Sequence, residues 1–120
     1  GSPAMNLING VYRGAGGRAF LGIGDGLLPS PVLSGLADGA AVVVGVRPDK
    51  LCFREGGVPG QVQIVEQTGA ETRVTVRLHG QEVVAVFHER PHFRAGQDVS
   101  VFVEPGNMHV FDKLTGRAVT

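Results

Sequence analysis

Apolar and polar residues alternate along most of this chain, with the period of two that is typical of β-strands. The alternation is clearest over residues 72–78, where Thr72, Val74, Val76 and Leu78 occupy every second position. It predicts a strand with one buried face and one face exposed to water. Near the end of the chain, the valines at 99, 101 and 103 predict the last long strand. No segment shows the period of an α-helix.

Glycine- and proline-rich turns divide the rest of the pattern into further short strands. The predicted segments are Leu7–Arg13, Ala19–Ile23, a short edge segment at Leu27–Leu28, Ala41–Val46, Leu51–Phe53, Val62–Ile64, Thr72–Leu78, Val83–Phe87, Val99–Val103, His109–Asp112 and a terminal strand at Ala118–Val119. Many short strands at this spacing are typical of a β-sandwich or a small β-barrel. We therefore expect an all-β fold.

Burial can be predicted at two positions in more detail. Val42–Val44 is an uninterrupted apolar run, which predicts a strand buried on both faces. Phe111 is predicted to lie in the core, so that Phe111→Ala would cost about 3–5 kcal/mol.

The chain is predicted to be a single domain, residues 1–120, with two β sub-units at about 5–55 and 58–120. The joint between them is placed at Glu55–Gly60.

The composition fits one soluble globular domain and excludes several other classes. The 120 residues include 11 basic and 11 acidic side chains, and this neutral balance argues against a general nucleic-acid binder. No apolar run approaches the roughly 20 residues of a membrane-spanning helix, and no signal peptide is visible. The 19 glycines predict many tight turns, and the single cysteine, Cys52, excludes an intramolecular disulfide. Gly1-Ser2 is either native sequence or a cloning remnant.

Four candidate chemical motifs are each better explained as ordinary structure. Gly14–Ala19 matches G-x-G-x-x-A, but the residues after it cannot form the helix that a dinucleotide site needs, so a hairpin turn is predicted. His88 and His92 have the spacing of a helical metal pair, but Pro91 opposes a helix there. Cys52 lies between apolar neighbours and is predicted to be an inert thiol. Glu66 and Glu71 flank a turn and are predicted to be solvated. No phosphate-binding loop is present, so the chain is predicted to be non-catalytic.

Four short motifs, in order along the chain, carry a resemblance to a known family. They are Gly1–Asn6, Gly45-Val46-Arg47-Pro48-Asp49, Val65–Glu71 and the tail with His109, Phe111-Asp112 and Thr115-Gly116. Each resembles a stretch in the ATP-binding subunits of bacterial solute importers of the maltose and glycerol-3-phosphate type. The resembling region is the C-terminal transport-associated OB (TOBE) domain of those subunits.

The resemblance implies an OB-like β-barrel that regulates and helps dimerise an ABC importer subunit at the inner face of the cell membrane. It implies a second copy, membrane subunits and a regulatory protein as partners. ATP and Mg²⁺ would belong to the missing ATPase domain, and no cofactor is expected in this one. The residues assigned to interface or regulation are Arg47, Pro48, Asp49, Glu66, Gly69, Glu71 and Asp112. No catalytic residue and no metal ligand is assigned.

Two other classes of function remain as alternatives. One is a free-standing TOBE module that binds a small ligand or an oxyanion at its glycine-rich turns, where backbone amides can hold anions. The other is an OB-fold nucleic-acid binder, which the neutral charge and the inward placement expected for several phenylalanines disfavour. The transported solute cannot be derived from these residues.

Overall fold

The computed structural model describes residues 4–120 and confirms the all-β class. Gly1–Pro3 are outside the described residues, and so is the question of whether Gly1-Ser2 is native. The nine strands are β1 (Asn6–Ala15), β2 (Arg18–Ile23), β3 (Gly26–Pro29), β4 (Ala41–Val46), β5 (Cys52–Thr68), β6 (Glu71–Leu78), β7 (Gln81–Phe87), β8 (Asp98–Phe102) and β9 (His109–Asp112). Two three-residue 3₁₀ helices, Pro48–Lys50 and Pro105–Asn107, lie between strands. Within residues 4–120, no helix has the length and hydrophobicity needed to cross a membrane.

The strands form two antiparallel sheets. The first has five strands in the order β3-β2-β1-β4-β9, and the second has four in the order β7-β6-β5-β8. The predicted edge segment Leu27–Leu28 lies in β3, which is an edge of the first sheet. The predicted terminal strand at Ala118–Val119 is reduced to a single bridge between Ala118 and Phe111. Because β9 joins the first sheet, that sheet takes strands from both ends of the chain.

The core lies between the two sheets and consists mainly of valine, leucine and isoleucine. On β6 the alternation predicted from the sequence is confirmed, since Thr72, Val74, Val76 and Leu78 are all buried. On β4 the prediction of burial on both faces is only partly right. Val42 and Val44 are buried, whereas Val43 is half-buried on the outer face. A strand inside a sheet that is covered on one side alone keeps one face partly exposed.

One side chain of β1 and one of β7 join the two sheets. Asn6 Nδ2 donates to the carbonyl of Val84 on β7 at 2.9 Å, and Asn6 Oδ1 accepts from the Val84 amide at 2.8 Å. Three residues further along β1, Gln81 Oε1 on β7 accepts from the Asn9 amide at 2.8 Å, and Gln81 Nε2 donates to the Asn9 carbonyl at 3.1 Å. Each amide side chain thus pairs with a backbone edge as a neighbouring strand would, which closes the sheets toward a barrel. We call these two pairs the sheet clamp.

The break between strands expected at Glu55–Gly60 and the short strand expected at Leu51–Phe53 are replaced by one long strand. Both lie on or next to β5, which continues for 17 residues through this stretch. Its pairing with β8 shifts register between Phe53 and Val58, as in a β-bulge. Gly57 donates its amide to the Ser100 hydroxyl at 2.9 Å within that irregularity. Glycine and proline mark bulges as well as turns, so this cluster was open to both interpretations. The division into two β sub-units remains a prediction.

The glycine-rich turns that were predicted are tight hairpins. Gly14–Ala19 spans the β1–β2 hairpin, in which Gly16 and Gly17 both have positive φ. His79 and Gly80 connect β6 to β7 in the same way, with φ values of 44° and 76°. Positive φ at both central residues matches the right-handed twist of the flanking strands. The hairpin interpretation of the G-x-G-x-x-A motif is therefore confirmed.

The prediction that Phe111 belongs to the core is wrong. The neighbouring Val110 is the buried residue of β9, at 4% exposure, and Phe111 is half-buried on the outer face opposite Val43. Alternation along a strand allows two phases, and the larger side chain took the outer one.

The different burial of Val110 and Phe111 on β9 leads to a testable contrast. We expect Phe111→Ala to lower the free energy of unfolding by only about 1 kcal/mol, and Val110→Ala to lower it by about 2 kcal/mol, because only the second opens a cavity in the core. Urea denaturation followed by circular dichroism measures both values. A loss above about 3 kcal/mol for Phe111→Ala would restore it to the core.

Candidate functional site

Arg47, Pro48 and Asp49 form the turn that leaves β4. The Arg47 carbonyl accepts a hydrogen bond from the Lys50 amide at 2.9 Å, and this bond closes the 3₁₀ helix Pro48–Lys50. Pro48 is buried, while the side chains of Arg47 and Asp49 are exposed. The ring of Pro48 fixes the direction in which the chain leaves β4. The turn therefore presents two cations, Arg47 and Lys50, and one anion, Asp49, to solvent on a rigid support.

Glu66, Gly69 and Glu71 lie at the β5–β6 hairpin. Glu71 is opposite Thr68 in the register, and Glu66 is opposite Arg73. Gly69 has a φ of 62°, a conformation that the turn requires and that glycine adopts without strain. Glu66 is exposed and Glu71 is half-buried. The hairpin thus carries two carboxylates beside a well-defined turn.

Asp112 organises the turn that follows β9. Its Oδ1 accepts from the Leu114 amide at 2.9 Å, and its carbonyl accepts from the Gly116 amide at 2.7 Å. Its own amide donates to the Arg117 carbonyl at 2.9 Å. With these bonds, Asp112 is chiefly a turn residue whose carboxylate already has a backbone partner.

These three groups lie on separate turns. Across residues 4–120, no hydrogen bond or salt bridge joins one group to another. Arg47, Glu66 and Glu71 also form no ion pair with any other described residue. The arrangement offers exposed charges of both signs for contact with another molecule, but it does not assemble a nucleophile with a base.

Cys52 is a half-buried thiol at the start of β5. Its Sγ donates to the Phe102 carbonyl at 3.4 Å. Burial raises the pKa of this thiol, and the nearby Glu104 carboxylate raises it further, whereas Arg54 opposes the shift. A raised pKa keeps the sulfur protonated and weakly nucleophilic at neutral pH. The geometry therefore agrees with the prediction of an inert thiol.

Metal-binding geometry is not assembled within the described part of the chain. No group of three or more His, Cys, Asp or Glu side chains there could hold an ion. His88 and His92 both lie in the loop between β7 and β8, and both are exposed. The loop agrees with the interpretation that Pro91 prevents a helix at this point.

The apolar character of the outer face of the first sheet was not predicted from the sequence. Leu7 and Leu27 are more than half exposed there, at 65% and 53%. Val11, Val43 and Phe111 lie half-buried on the same face, as the strand register shows. Alternation on β1 places Leu7 and Val11 opposite the buried Ile8 and Tyr12, and that was the signal available. A strand with apolar residues on its outward-facing as well as its inward-facing positions predicts an apolar outer face.

The two joined sheets, the closed core between them and the exposed charged turns define a small β-barrel domain of the OB type. Comparison with protein families then identifies it. The TOBE domain family matches residues 44–111, and the MalK OB-fold domain family matches residues 1–51. The chain belongs to the TOBE domain family, in the type found in sugar and glycerol-3-phosphate import ATP-binding proteins. The resemblance drawn from the four short motifs is confirmed.

Relatives with similar sequences are ATP-binding proteins of transporters. The chain is 36% identical over 122 residues to an uncharacterised ABC transporter ATP-binding protein of Sinorhizobium fredii. The alignment covers 99% of this chain and 32% of the relative. It is 34% identical to the trehalose/maltose import ATP-binding protein MalK of Thermococcus litoralis, with 99% of the chain and 35% of the relative covered. It is 32% identical to the sn-glycerol-3-phosphate import ATP-binding protein UgpC of Salmonella paratyphi A, with 99% and 34% covered. The chain thus spans about a third of the length of these relatives.

A solved structure shares the fold. The cytoplasmic molybdate-binding protein ModG, crystallised with molybdate bound, superposes with a TM-score of 0.64. The superposition covers 89% of this chain and 95% of ModG, at 19% sequence identity. At this identity the likeness is one of fold, and it confirms the OB-type barrel predicted from the sequence.

Proposed function

We propose that this chain is the regulatory and dimerisation domain of an ABC importer ATP-binding subunit that imports a sugar or a glycerol phosphate. The observation that carries the proposal is the coverage of the match. Import ATP-binding proteins cover 99% of this chain, while the chain covers only about a third of their length. In this proposal, ATP and Mg²⁺ bind in the remaining part of the parent subunit, and this domain performs no catalysis.

The mechanism we propose is a tether. If two copies of this domain stay docked, the ATPase parts linked to them remain at a high effective concentration. Those parts can then separate after each round of hydrolysis and meet again without diffusing away. The partners would be a second copy of the subunit, the membrane subunits of the importer at the inner face of the cell membrane, and a regulatory protein.

We propose that the exposed charged turns supply part of the contact between copies. Arg47 lies on one turn, and Glu66 and Glu71 lie on another, each without an ion pair within residues 4–120. In a twofold interface the same surface patch serves both copies, so Arg47 of one copy can meet a carboxylate of the other and the reverse. In this proposal Asp49 and Asp112 contribute at the rim of the contact, and Pro48 and Gly69 maintain the shapes of the two turns.

The tether is tested by deleting residues 1–120 from the parent subunit. We expect the intact subunit to sediment as a dimer without nucleotide, and the truncated subunit to sediment as a monomer, because the contact that survives ATP release has been removed. ATP hydrolysis by the truncated protein at high concentration is the control for its folding. A truncated subunit that still forms a dimer without nucleotide contradicts the proposal.

Charge reversal tests the assigned residues in the same assay. We expect Arg47→Glu to weaken the nucleotide-free dimer about tenfold, because like charges then face each other across the interface. Adding Glu66→Arg and Glu71→Arg should recover part of the affinity. Arg90→Glu is the matched control, since Arg90 is also exposed and unpaired among the described residues. An equal effect from Arg90→Glu would assign the loss to net charge alone.

A second candidate function is a free-standing oxyanion-binding module, which the fold shared with molybdate-bound ModG favours. Isothermal titration of this chain with molybdate, tungstate and sulfate separates the two candidates. The importer proposal predicts no heat of binding with any of the three anions. Saturable heat with molybdate or tungstate would move the oxyanion module ahead of it.

A further inference from the structure

A depression of about 720 Å³ lies between the loop after β7 and the end of β5. We call it the loop depression. Three half-buried apolar side chains form its floor, namely Val65, Pro91 and Phe93. Four polar side chains surround them, namely Gln67, His92, Arg94 and Gln97. The lining is therefore mixed, and polar groups contribute more of its surface than apolar ones, which suits a ligand with a charged group.

The floor is held in place by aromatic packing. The Phe93 ring meets the Phe53 ring edge-on with centroids 5.0 Å apart, and it lies 5.5 Å from the Phe87 ring. Phe53 and Phe87 are in turn 5.4 Å apart. Such tilted and edge-on pairs are favourable and orient each ring. Phe93 is therefore a fixed surface even though it belongs to a loop.

The rim is held by backbone hydrogen bonds to β5. The Gly96 amide donates to the Val62 carbonyl at 2.7 Å, and the Val62 amide donates to the Gln97 carbonyl at 2.8 Å. Within the turn, the Arg94 amide donates to Gln97 Oε1 at 3.1 Å. These bonds fix the backbone from which the Arg94 guanidinium extends, so that less conformational freedom is lost when a ligand binds.

The electrostatics of the loop depression favour an anion. Its lining contains a guanidinium, an imidazole and two amides, but no carboxylate. The Arg94 guanidinium makes no salt bridge or side-chain hydrogen bond within residues 4–120, so its donors are available to a ligand, as are those of other exposed arginines such as Arg47 and Arg90. A guanidinium presents paired donors that match the two oxygens of a carboxylate or phosphate.

We propose that the loop depression binds a small organic anion, with its phosphate or carboxylate at Arg94 and an apolar, ring-sized body on Phe93, Val65 and Pro91. Gln67 and Gln97 add amide donors at the anionic end, and His92 adds a further donor. The site is independent of the importer proposal, because it is formed within this chain alone.

Phenyl phosphate is the probe, since it carries both parts of the proposed ligand. We expect it to shift the amide signals of residues 91–97 in a ¹⁵N–¹H correlation spectrum of this chain, in a saturable manner. Inorganic phosphate and benzyl alcohol should each bind at least about tenfold more weakly than phenyl phosphate, because each satisfies only half of the site. Benzoate in place of phenyl phosphate distinguishes a carboxylate site from a phosphate site.

Two matched arginine variants complete the experiment. Arg94→Gln should weaken phenyl phosphate binding at least about tenfold, while Arg90→Gln, on the same loop but outside the lining, should leave it within about twofold. Unchanged spectra outside the loop show that each variant is folded. The proposal is overturned if neither phenyl phosphate nor benzoate shifts residues 91–97, if inorganic phosphate binds as well as either, or if Arg90→Gln weakens binding as much as Arg94→Gln.

Discussion

Replacing Asn6 with alanine should lower the free energy of unfolding of this domain by about 3 kcal/mol, because the Val84 amide and carbonyl would both lose their partner. Asn6 is 9% exposed, and its side chain makes both hydrogen bonds to Val84, with a longer third one of 3.3 Å to the Val46 carbonyl. Each buried backbone group left without a partner costs about 1–3 kcal/mol, and β7 has no other strand on that edge to replace the bonds.

Asn9→Ala is the matched control for the Asn6 side chain, because only the backbone of Asn9 belongs to the sheet clamp. Asn9 lies on the same strand, but its side chain is exposed and accepts only from Lys113 Nζ at 3.0 Å. Its loss should cost about 0.5 kcal/mol or less, as for most exposed polar contacts. Urea denaturation of both variants gives the comparison. Equal losses would mean that the two sheets are not held together by Asn6.

Gly57→Ala should cost about 3 kcal/mol, although it adds only one methyl group. A Cβ atom at residue 57 would overlap the carbonyl oxygen and carbon of Val101 on the paired strand, and would lie 2.9 Å from Ser100 Oγ. Backbone atoms of a paired strand cannot move away as a flexible side chain can, so β5 and β8 would have to separate around the register shift. The hydrogen bond from the Gly57 amide to Ser100 would also be strained.

Gly106→Ala serves as the control for added volume and for the general effect of removing a glycine. No atom lies within 4 Å of a Cβ placed there, and residue 106 does not have positive φ. We expect its stability to stay within about 0.5 kcal/mol of the parent. Thermal melting of both variants decides the matter. If the melting temperature of Gly57→Ala equals that of Gly106→Ala, the close approach of β5 and β8 is not required for folding.

The alternation of residues predicted most of the strands, because each strand of this domain has one face in the core. It could not choose the phase of β9, where Val110 and Phe111 are both apolar and the preference depends on which sheet covers them. It also misinterpreted Glu55–Gly60, because a bulge inside a long strand and a joint between strands use the same residues. Local pattern therefore gave the elements but not how far each continues.

Long-range contacts explain what could not be predicted. In the sequence, Asn6 is an ordinary polar residue at the start of a strand. Its burial and its hydrogen-bond partners come from the packing of Val84, which lies 78 positions later in the chain. The loop depression likewise combines β5 with a loop more than 20 residues away, so no local motif marks it. The assigned residues Arg47, Glu66 and Glu71 were chosen from short motifs, and contacts to another molecule leave no trace within one chain.

The most direct measurement for the central claim is to read the source DNA upstream of the codon for Gly1. If the importer proposal is right, the open reading frame continues upstream and encodes a phosphate-binding loop, an ABC signature motif and a catalytic carboxylate. A start codon immediately upstream of Gly1 in the natural gene would contradict the importer proposal and would favour a free-standing module.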